Sequence, residues 1–143
     1  MIRIDRSVWE QMIGHCRLAL PREACGALFG PKGDSGTPAV TFLSPIANRA
    51  KSPETEFAFD AKDWIYSLYE AERSNRQLLG IFHSHPMTSG TPSALDMAGA
   101  SHNRLGYWIV SFARPEQPIV RVYRLEEAIG GSREFTPIPY SVI

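Results

Sequence analysis

The segment from His83 to Asp96 carries the residues of this chain that are best suited to chemistry. His83 and His85 lie in His-Ser-His-Pro, and Asp96 ends the later Pro-Ser-Ala-Leu-Asp. Residues 78–85 are mostly apolar and predict a buried strand, in which alternate side chains share a face, so both imidazoles point the same way. Two histidines and a carboxylate, with a fourth position left for water, are a common make-up of a catalytic zinc site. We therefore expect a metal site here.

Asp96 has two competing interpretations. The spacing Ser93-x-x-Asp96 ahead of a helix is close to a capping box, in which both side chains serve only backbone N–H groups. Next to His83 and His85, we expect Asp96 to ligate the metal, and Ser93 to cap the helix and also reach the site. If Asp96 is only a cap, His102 is the natural substitute ligand.

Amide hydrolysis by a metal-bound water also needs a group that carries protons. Asp96 cannot do this while it is bound to metal, so another carboxylate must. Spacing alone leaves four candidates open: Glu23, Glu54, Glu56 and Asp60. Cys25 would share a strand face with Glu23 and could approach the metal, but a small buried hydrophobic residue is the simpler interpretation.

Length, charge and cysteine content limit the class of protein. The 143 residues predict one domain over 1–143, and the 15 basic and 15 acidic residues form no Lys or Arg run that would favour nucleic acid or an anionic membrane. No apolar stretch approaches the ~20 residues that span a bilayer, and the N-terminus lacks a signal layout. Cys16 and Cys25, without Cys-x-x-Cys spacing, fit a reducing interior. We therefore expect a cytoplasmic protein.

Helices and strands alternate along the chain. Hydrophobic periodicity predicts helices over 6–20, 60–75 and 93–102. It predicts strands over 1–4, 23–29, 39–43, 57–59, 78–85, 107–112 and 119–125, and the proline-bearing tail 134–143 favours an edge strand. Such alternation with hairpins predicts an α/β fold, in which helices cover a mixed sheet.

The helices allow more specific predictions. The first can be capped by Asp5, or by Ser7 pairing with Glu10, and it places His15 on its polar side. Asp60 caps the second helix. The inner face of this second helix is predicted to carry Trp64, Ile65, Leu68 and Ala71.

Two stretches of the sequence resemble one known family. The pattern His-Ser-His-Pro-x5-Pro-Ser-x2-Asp is similar to the signature of the JAMM (MPN+) metalloproteases, which include deubiquitinating isopeptidases and small prokaryotic relatives. Residues 21–30 look like the family's Pro-x-Glu-x-Cys-Gly-x-Leu-x-Gly segment, and the order of elements is similar over essentially the whole chain. The resemblance implies a single three-layer domain with a curved mixed sheet flanked by helices, a fold related to that of the nucleobase deaminases. The deaminase motif itself is absent.

The resemblance also implies a role for each site residue. His83, His85 and Asp96 would hold one zinc ion per chain, with water in the fourth position. Glu23 would take a proton from that water and pass it to the departing amine. Ser93 would hydrogen-bond the developing oxyanion.

Short segments between elements make the chain similar to the minimal prokaryotic form of the family. Those forms are associated with ubiquitin-like sulfur-carrier proteins that end in Gly-Gly, so the resemblance implies such a partner and cleavage after its Gly-Gly. Two alternatives are a non-catalytic scaffold of the same fold and a peptidase for a cell-wall or phage-tail precursor. The intact set of five site residues favours an enzyme, and the lack of a fused second domain weighs weakly against the third possibility.

Overall fold

A six-stranded mixed sheet forms the centre of the protein. The computed structural model describes residues 1–33, 36–100, 104–127 and 129–143. The helices are α1 (Arg6–Ala19), α2 (Ala61–Arg73) and α3 (Ala94–Gly99). The strands are β1 (Ile2–Ile4), β2 (Cys25–Pro31), β3 (Phe42–Ile46), β4 (Arg76–His85), β5 (Gly106–Ser111), β6 (Ile119–Glu127), β7 (Arg133–Ile138) and β8 (Tyr140–Val142).

The strand order is β3-β2-β4-β5-β6-β7. β4 and β5 run parallel, whereas the other neighbours in this sheet are antiparallel. The sheet is curved and does not close, since β3 and β7 end it as edges. The predicted mixed sheet is therefore confirmed.

Helices cover both faces of the sheet. On one face Met12 of α1 packs in a cluster with Phe82 of β4 and Trp108 of β5. On the opposite face Ala71 of α2 packs with Phe29 of β2. Because side chains alternate along β4, the residue after Phe82 faces the α2 side. The expected three-layer arrangement is confirmed, and it places His83 on the α2 side.

The third predicted strand is wrong in position. The prediction covered 39–43, but β3 runs from Phe42 to Ile46. Val40 instead bridges to Ile4 of β1, where its N–H donates to the Arg3 carbonyl. Side chains alternate with a period of two residues in a strand over 39–43 and in one over 42–46, so the sequence pattern does not distinguish the two positions.

The C-terminal tail forms two strands rather than one. β7 is an edge of the large sheet, as the prolines predicted. Pro139 separates it from β8, which pairs in parallel with β1 in a separate two-stranded sheet. The predicted strand at 57–59 is reduced to one bridge, between Phe59 and Asn48.

The starts of the helices follow the predictions in part. Asp5 is the N-cap residue of α1, but no side chain caps this helix, so the predicted pairing of Ser7 with Glu10 is wrong. The N–H of Arg6 donates to the Ile143 carbonyl instead, at 2.8 Å. Asp60 caps α2, accepting from the Asp63 N–H at 3.0 Å. No helix among the described residues is both long enough and apolar enough to cross a bilayer.

The inner face of α2 differs from the prediction. Ala71 is buried, but Ile65 is 66% exposed and Leu68 is 37% exposed. Ser67 is buried instead, and its hydroxyl donates to the Trp64 carbonyl. Residues 64, 67 and 71 lie on one helical face, so the inner face keeps the predicted Trp64 and Ala71 and has Ser67 in place of Ile65 and Leu68.

Candidate active site

His83 and His85 end the central strand β4. His83 pairs with Cys25 of β2 and with Ile109 of β5, and His85 pairs with Ser111 of β5. Both histidines are buried, and their Nε2 atoms lie 3.2 Å apart. The predicted shared face is therefore confirmed. A strand held on both sides fixes the direction of the two rings.

The Asp96 carboxylate completes a cluster with these rings. Its Oδ1 lies 3.0 Å from His83 Nε2, and its Oδ2 lies 2.9 Å from His85 Nε2. Ligand atoms of the three residues all fall within 4.8 Å of one another. Within the described parts of the chain, no other group of three or more His, Cys, Asp or Glu residues could hold a metal ion.

Asp96 also belongs to a complete capping box at the start of α3. The Ser93 N–H donates to Asp96 Oδ2 at 2.8 Å, and the Asp96 N–H donates to Ser93 Oγ at 3.0 Å. The capping-box interpretation of the Ser-x-x-Asp spacing is therefore confirmed, and the same carboxylate lies beside both histidines. The capping bonds hold the carboxylate at the first turn of α3, where it reaches the two histidines.

A backbone carbonyl fixes the orientation of His85. Its Nδ1 lies 2.7 Å from the carbonyl oxygen of Ser89. Because a carbonyl oxygen only accepts hydrogen bonds, Nδ1 carries the hydrogen. Nε2 is then the atom that can bind a cation or a second proton. Bonds of this kind commonly orient metal-binding histidines.

The charges of the cluster favour a cation at its centre. Burial favours the neutral form of Asp96, but hydrogen bonds from His83 and His85 outweigh it and hold the pKa of the carboxyl well below its usual range. Burial lowers the pKa of His83, despite its bond to Asp96. Burial also tends to lower the pKa of His85, but the hydrogen bonds to Asp96 and Ser89 outweigh burial, so the pKa of His85 is raised.

Glu23 approaches the cluster from the start of β2. The N–H of Ala24 donates to Ser84 Oγ at 2.8 Å, and the N–H of Ser84 donates to the Ala24 carbonyl at 3.0 Å. These bonds continue the β2–β4 pairing beyond its last paired residues, so Glu23 comes opposite His85 and on the same face. Asn48 Nδ2 donates to the Glu23 carbonyl at 2.9 Å and anchors its backbone.

The Glu23 side chain is in an unusual environment. The residue is 5% exposed, and its Oε1 has no hydrogen-bond partner among the described residues. Burial raises the pKa of Glu23 to about 7; the charge of His85 opposes this rise, whereas Asp96 and Glu56 add to it. A carboxyl that changes protonation near neutral pH is suited to general acid–base work.

The other three candidate carboxylates have different surroundings. Glu54 is exposed. Asp60 caps α2 and also accepts from Arg49 at 2.9 Å. Glu56 is half-buried near Glu23. Glu23 is thus the buried member of the four.

The remaining sequence candidates lie outside the cluster. Cys25 is buried, its Sγ donates to the Ile46 carbonyl at 3.4 Å, and burial raises its pKa to about 12. His15 is half-buried, with its ring edge against Phe82 on the α1 side of the sheet, so the prediction that it lies on the polar side is wrong. His102 lies outside the described residues.

An apolar cleft of about 380 Å³ borders the cluster. His83 and Asp96 line it, and the His83 ring stacks on Phe57 with 4.5 Å between centroids. Much of the remaining lining is aromatic or aliphatic, including Trp64, Leu95, Tyr107, Tyr123 and Phe135. Sequence reasoning does not identify these residues, since they come from separate elements. The one sequence signal that could have identified part of this lining is the alternation of Tyr107 and Ile109 along β5, which places both side chains on the same face of the sheet.

The fold and the cluster together define a class of protein. A family model described as prokaryotic homologs of the JAB domain matches residues 5–126. The chain belongs to this family, the minimal prokaryotic form of the JAMM (MPN) proteins that its motifs resemble. The family and its curated relatives place the chain among JAMM-type hydrolases.

Particular relatives support this assignment. The chain is 32% identical to the CysO-cysteine peptidase of Mycobacterium tuberculosis over 114 residues, which is 80% of this chain and 75% of that protein. It is 34% identical to the desampylase of Haloferax volcanii over 91 residues, or 64% of this chain, and this match spans 63% of the desampylase. A solved structure of a Desulfitobacterium hafniense protein aligns with a TM-score of 0.81 and 31% identity, covering 100% of this chain and 94% of that one.

Proposed function

We propose that this protein is a zinc-dependent peptidase that cleaves peptide or isopeptide bonds after the C-terminal Gly-Gly of a ubiquitin-like or sulfur-carrier protein. The observation that carries the proposal is the convergence of two imidazole nitrogens and one carboxylate beside a buried glutamate. The names of the relatives, a CysO-cysteine peptidase and a desampylase, support the substrate class.

The donor set suits one zinc ion. Zinc prefers nitrogen and oxygen ligands at about 2.0–2.1 Å in a tetrahedron, which implies ligand atoms roughly 3.3 Å apart. The two Nε2 atoms here are 3.2 Å apart, and each lies 2.9–3.0 Å from a different oxygen of the Asp96 carboxylate. Unprotonated imidazole nitrogens and carboxylate oxygens repel one another at such distances unless a proton or a cation lies between them. We therefore assign His83, His85 and Asp96 as the ligands of one zinc per chain.

The other two residues would act on the substrate and the water. Bound zinc would polarise the scissile carbonyl and lower the pKa of a bound water to ~7. Glu23 would accept a proton from the attacking water and return it to the departing amine. Its raised pKa allows both transfers near neutral pH.

Ser93 would stabilise the oxyanion. Its Oγ accepts from the Asp96 N–H, and this bond leaves the hydroxyl hydrogen for another acceptor. Ser93 is exposed and lies next to Pro92, which lines the cleft. The hydroxyl could therefore donate to a substrate carbonyl oxygen while it still caps α3.

The cleft would receive the C-terminal tail of the carrier. It borders His83 and Asp96, and its apolar walls suit the extended tail of a protein substrate. Two glycines carry no side chains, so the scissile bond can approach a buried cluster.

Both cysteines are free, which agrees with the cytoplasmic location that the sequence predicts.

Zinc stoichiometry and carrier cleavage together test the proposal. We expect one zinc per chain by elemental analysis, and release of the group beyond Gly-Gly from at least one carrier fusion in a panel. A chelator should stop the release and added zinc should restore it. Glu23→Gln should abolish cleavage and retain zinc, whereas Glu54→Gln, which removes an exposed charge, should retain both. Failure to take up zinc would favour a scaffold, and zinc uptake without cleavage across the panel would overturn the substrate assignment.

A further inference from the structure

The loop over residues 86–92 connects the histidines of β4 to the capping box of α3. Among the described residues, no backbone–backbone hydrogen bond holds this loop. Met87 is 85% exposed, and Thr88 and Ser89 are also exposed. A segment of this kind is held in place only by its side-chain contacts.

Three side chains of the sheet donate to three consecutive carbonyls of this loop. Ser111 Oγ donates to the Thr88 carbonyl at 2.6 Å. His85 Nδ1 donates to the next carbonyl along, that of Ser89, at 2.7 Å. The Tyr123 hydroxyl donates to the Gly90 carbonyl at 2.8 Å. The bond that orients His85 therefore lies between two other anchors.

Both outer donors come from rigid positions. Ser111 is 3% exposed and pairs directly with His85 across β4 and β5. Its Oγ also accepts from the Ala113 N–H, so its hydroxyl hydrogen is committed to the loop. Tyr123 is 6% exposed in β6 and packs in the cluster that contains Ile109. Each anchor thus ties an exposed loop to the buried sheet.

We infer that Ser111 and Tyr123 are positioning residues of the metal centre. By fixing the carbonyls of Thr88 and Gly90, they hold the Ser89 carbonyl against His85 Nδ1. This bond keeps the hydrogen on Nδ1 and directs Nε2 toward Asp96. The inference rests on the proposed zinc site, but it concerns residues that do not touch the metal.

Zinc affinity of single variants tests the inference. Ser111→Ala and Tyr123→Phe each remove one anchor, and the second retains the ring that lines the cleft. Tyr140→Phe is the control, since it also removes a tyrosine hydroxyl, which donates to the Val120 carbonyl and accepts from Trp9 Nε1, while its ring packs against the α1 cluster. Competition with a chromophoric chelator measures zinc affinity, and thermal unfolding of the metal-free proteins verifies that each variant is folded.

We expect each anchor variant to bind zinc roughly 10-fold more weakly, the lower end of the effect of removing a direct partner of a metal-binding histidine, because the anchors act through the Ser89 carbonyl. The control should stay within about twofold, as is usual for a substitution away from the site. The cobalt-substituted anchor variants should show altered visible absorption. Imidazole 15N shifts of metal-free protein should report a mixture of His85 tautomers in place of one.

The outcomes separate this inference from the proposed function. In one outcome, the wild-type protein binds zinc, and both anchor variants fold and show the same zinc affinity and spectra as the wild type. This result would overturn the positioning role and leave the proposed function standing. A loss of affinity equal to that of Tyr140→Phe would also overturn the positioning role. If the wild-type protein takes up no zinc, the proposed function fails and the inference falls with it.

Discussion

Replacing Glu23 by Gln should stabilise the metal-free protein at neutral and alkaline pH while it abolishes hydrolysis. The carboxyl is buried, and its Oε1 has no partner among the described residues. Gln has nearly the same shape but never ionises. The substitution therefore removes the free-energy cost of a buried charge and disrupts little packing.

The size and sign of the effect follow from the pKa. The folded-state pKa of Glu23 is about 7, above its ordinary value of 4.5. Between these values the folded state binds more protons than the unfolded state, so wild-type stability falls as pH rises through this window. One pKa unit corresponds to 1.36 kcal/mol, so the total cost is about 3 kcal/mol, of which about 2.5 kcal/mol develops between pH 5 and pH 8.

Urea unfolding of chelator-treated protein from pH 5 to pH 8 measures this effect. The difference in unfolding free energy between Glu23→Gln and wild type should grow with pH and then level off above pH 7. Groups remote from Glu23 titrate alike in both proteins and cancel in the difference, whereas His85, whose pKa the Glu23 charge helps to raise, contributes to it. Glu54→Gln should differ from wild type by less than about 0.5 kcal/mol throughout, as exposed substitutions usually do. A difference in unfolding free energy that stays constant, or that shrinks as pH rises, would show that the buried Glu23 charge does not destabilise the folded protein.

Three further substitutions test the other carboxylates and the hydroxyl. Asp96→Asn should bind zinc more than about 100-fold more weakly, beyond the range for removal of an indirect partner; elemental analysis and chelator competition measure the loss. Ser93→Ala should lower kcat by about 10²–10³-fold, as loss of one oxyanion donor does, and should lower stability by about 1 kcal/mol through the lost cap of α3. Asp60→Ala should cost about 1 kcal/mol of stability by removing the cap of α2, with zinc content and kcat unchanged in matched assays.

For each of these substitutions, one outcome would contradict the role assigned to the residue. Wild-type zinc affinity in Asp96→Asn would show that the carboxylate is a cap alone. Full activity in Ser93→Ala, with only the stability loss, would reduce Ser93 to the same role. Loss of hydrolysis in folded Asp60→Ala would return Asp60 to the set of candidate proton carriers.

Local spacing predicts those features of the site that lie within one element. The i, i+2 spacing of His83 and His85 on a strand places both rings on one face, and their Nε2 atoms are 3.2 Å apart. The Ser93–Asp96 spacing predicts a capping box, which is present. In α2, by contrast, the same kind of reasoning assigned Ile65 to the inner face. Several apolar side chains there fit two helical faces, and only packing selected one.

The sequence by itself predicted the set of two histidines and a carboxylate, the strand face that the histidines share and the family to which the chain belongs. Spacing left four carboxylates open as the proton carrier and the family resemblance implied Glu23, whereas the tertiary structure decided which of them stands beside the histidines. Pairing of β2 with β4 brings Glu23 opposite His85, while Asp60 is taken up by the cap of α2. It also decided that the Asp96 carboxylate reaches both histidines while it caps α3. The physical reason is that backbone geometry sets side-chain directions within an element, whereas neighbours from distant parts of the chain meet only through strand pairing and burial.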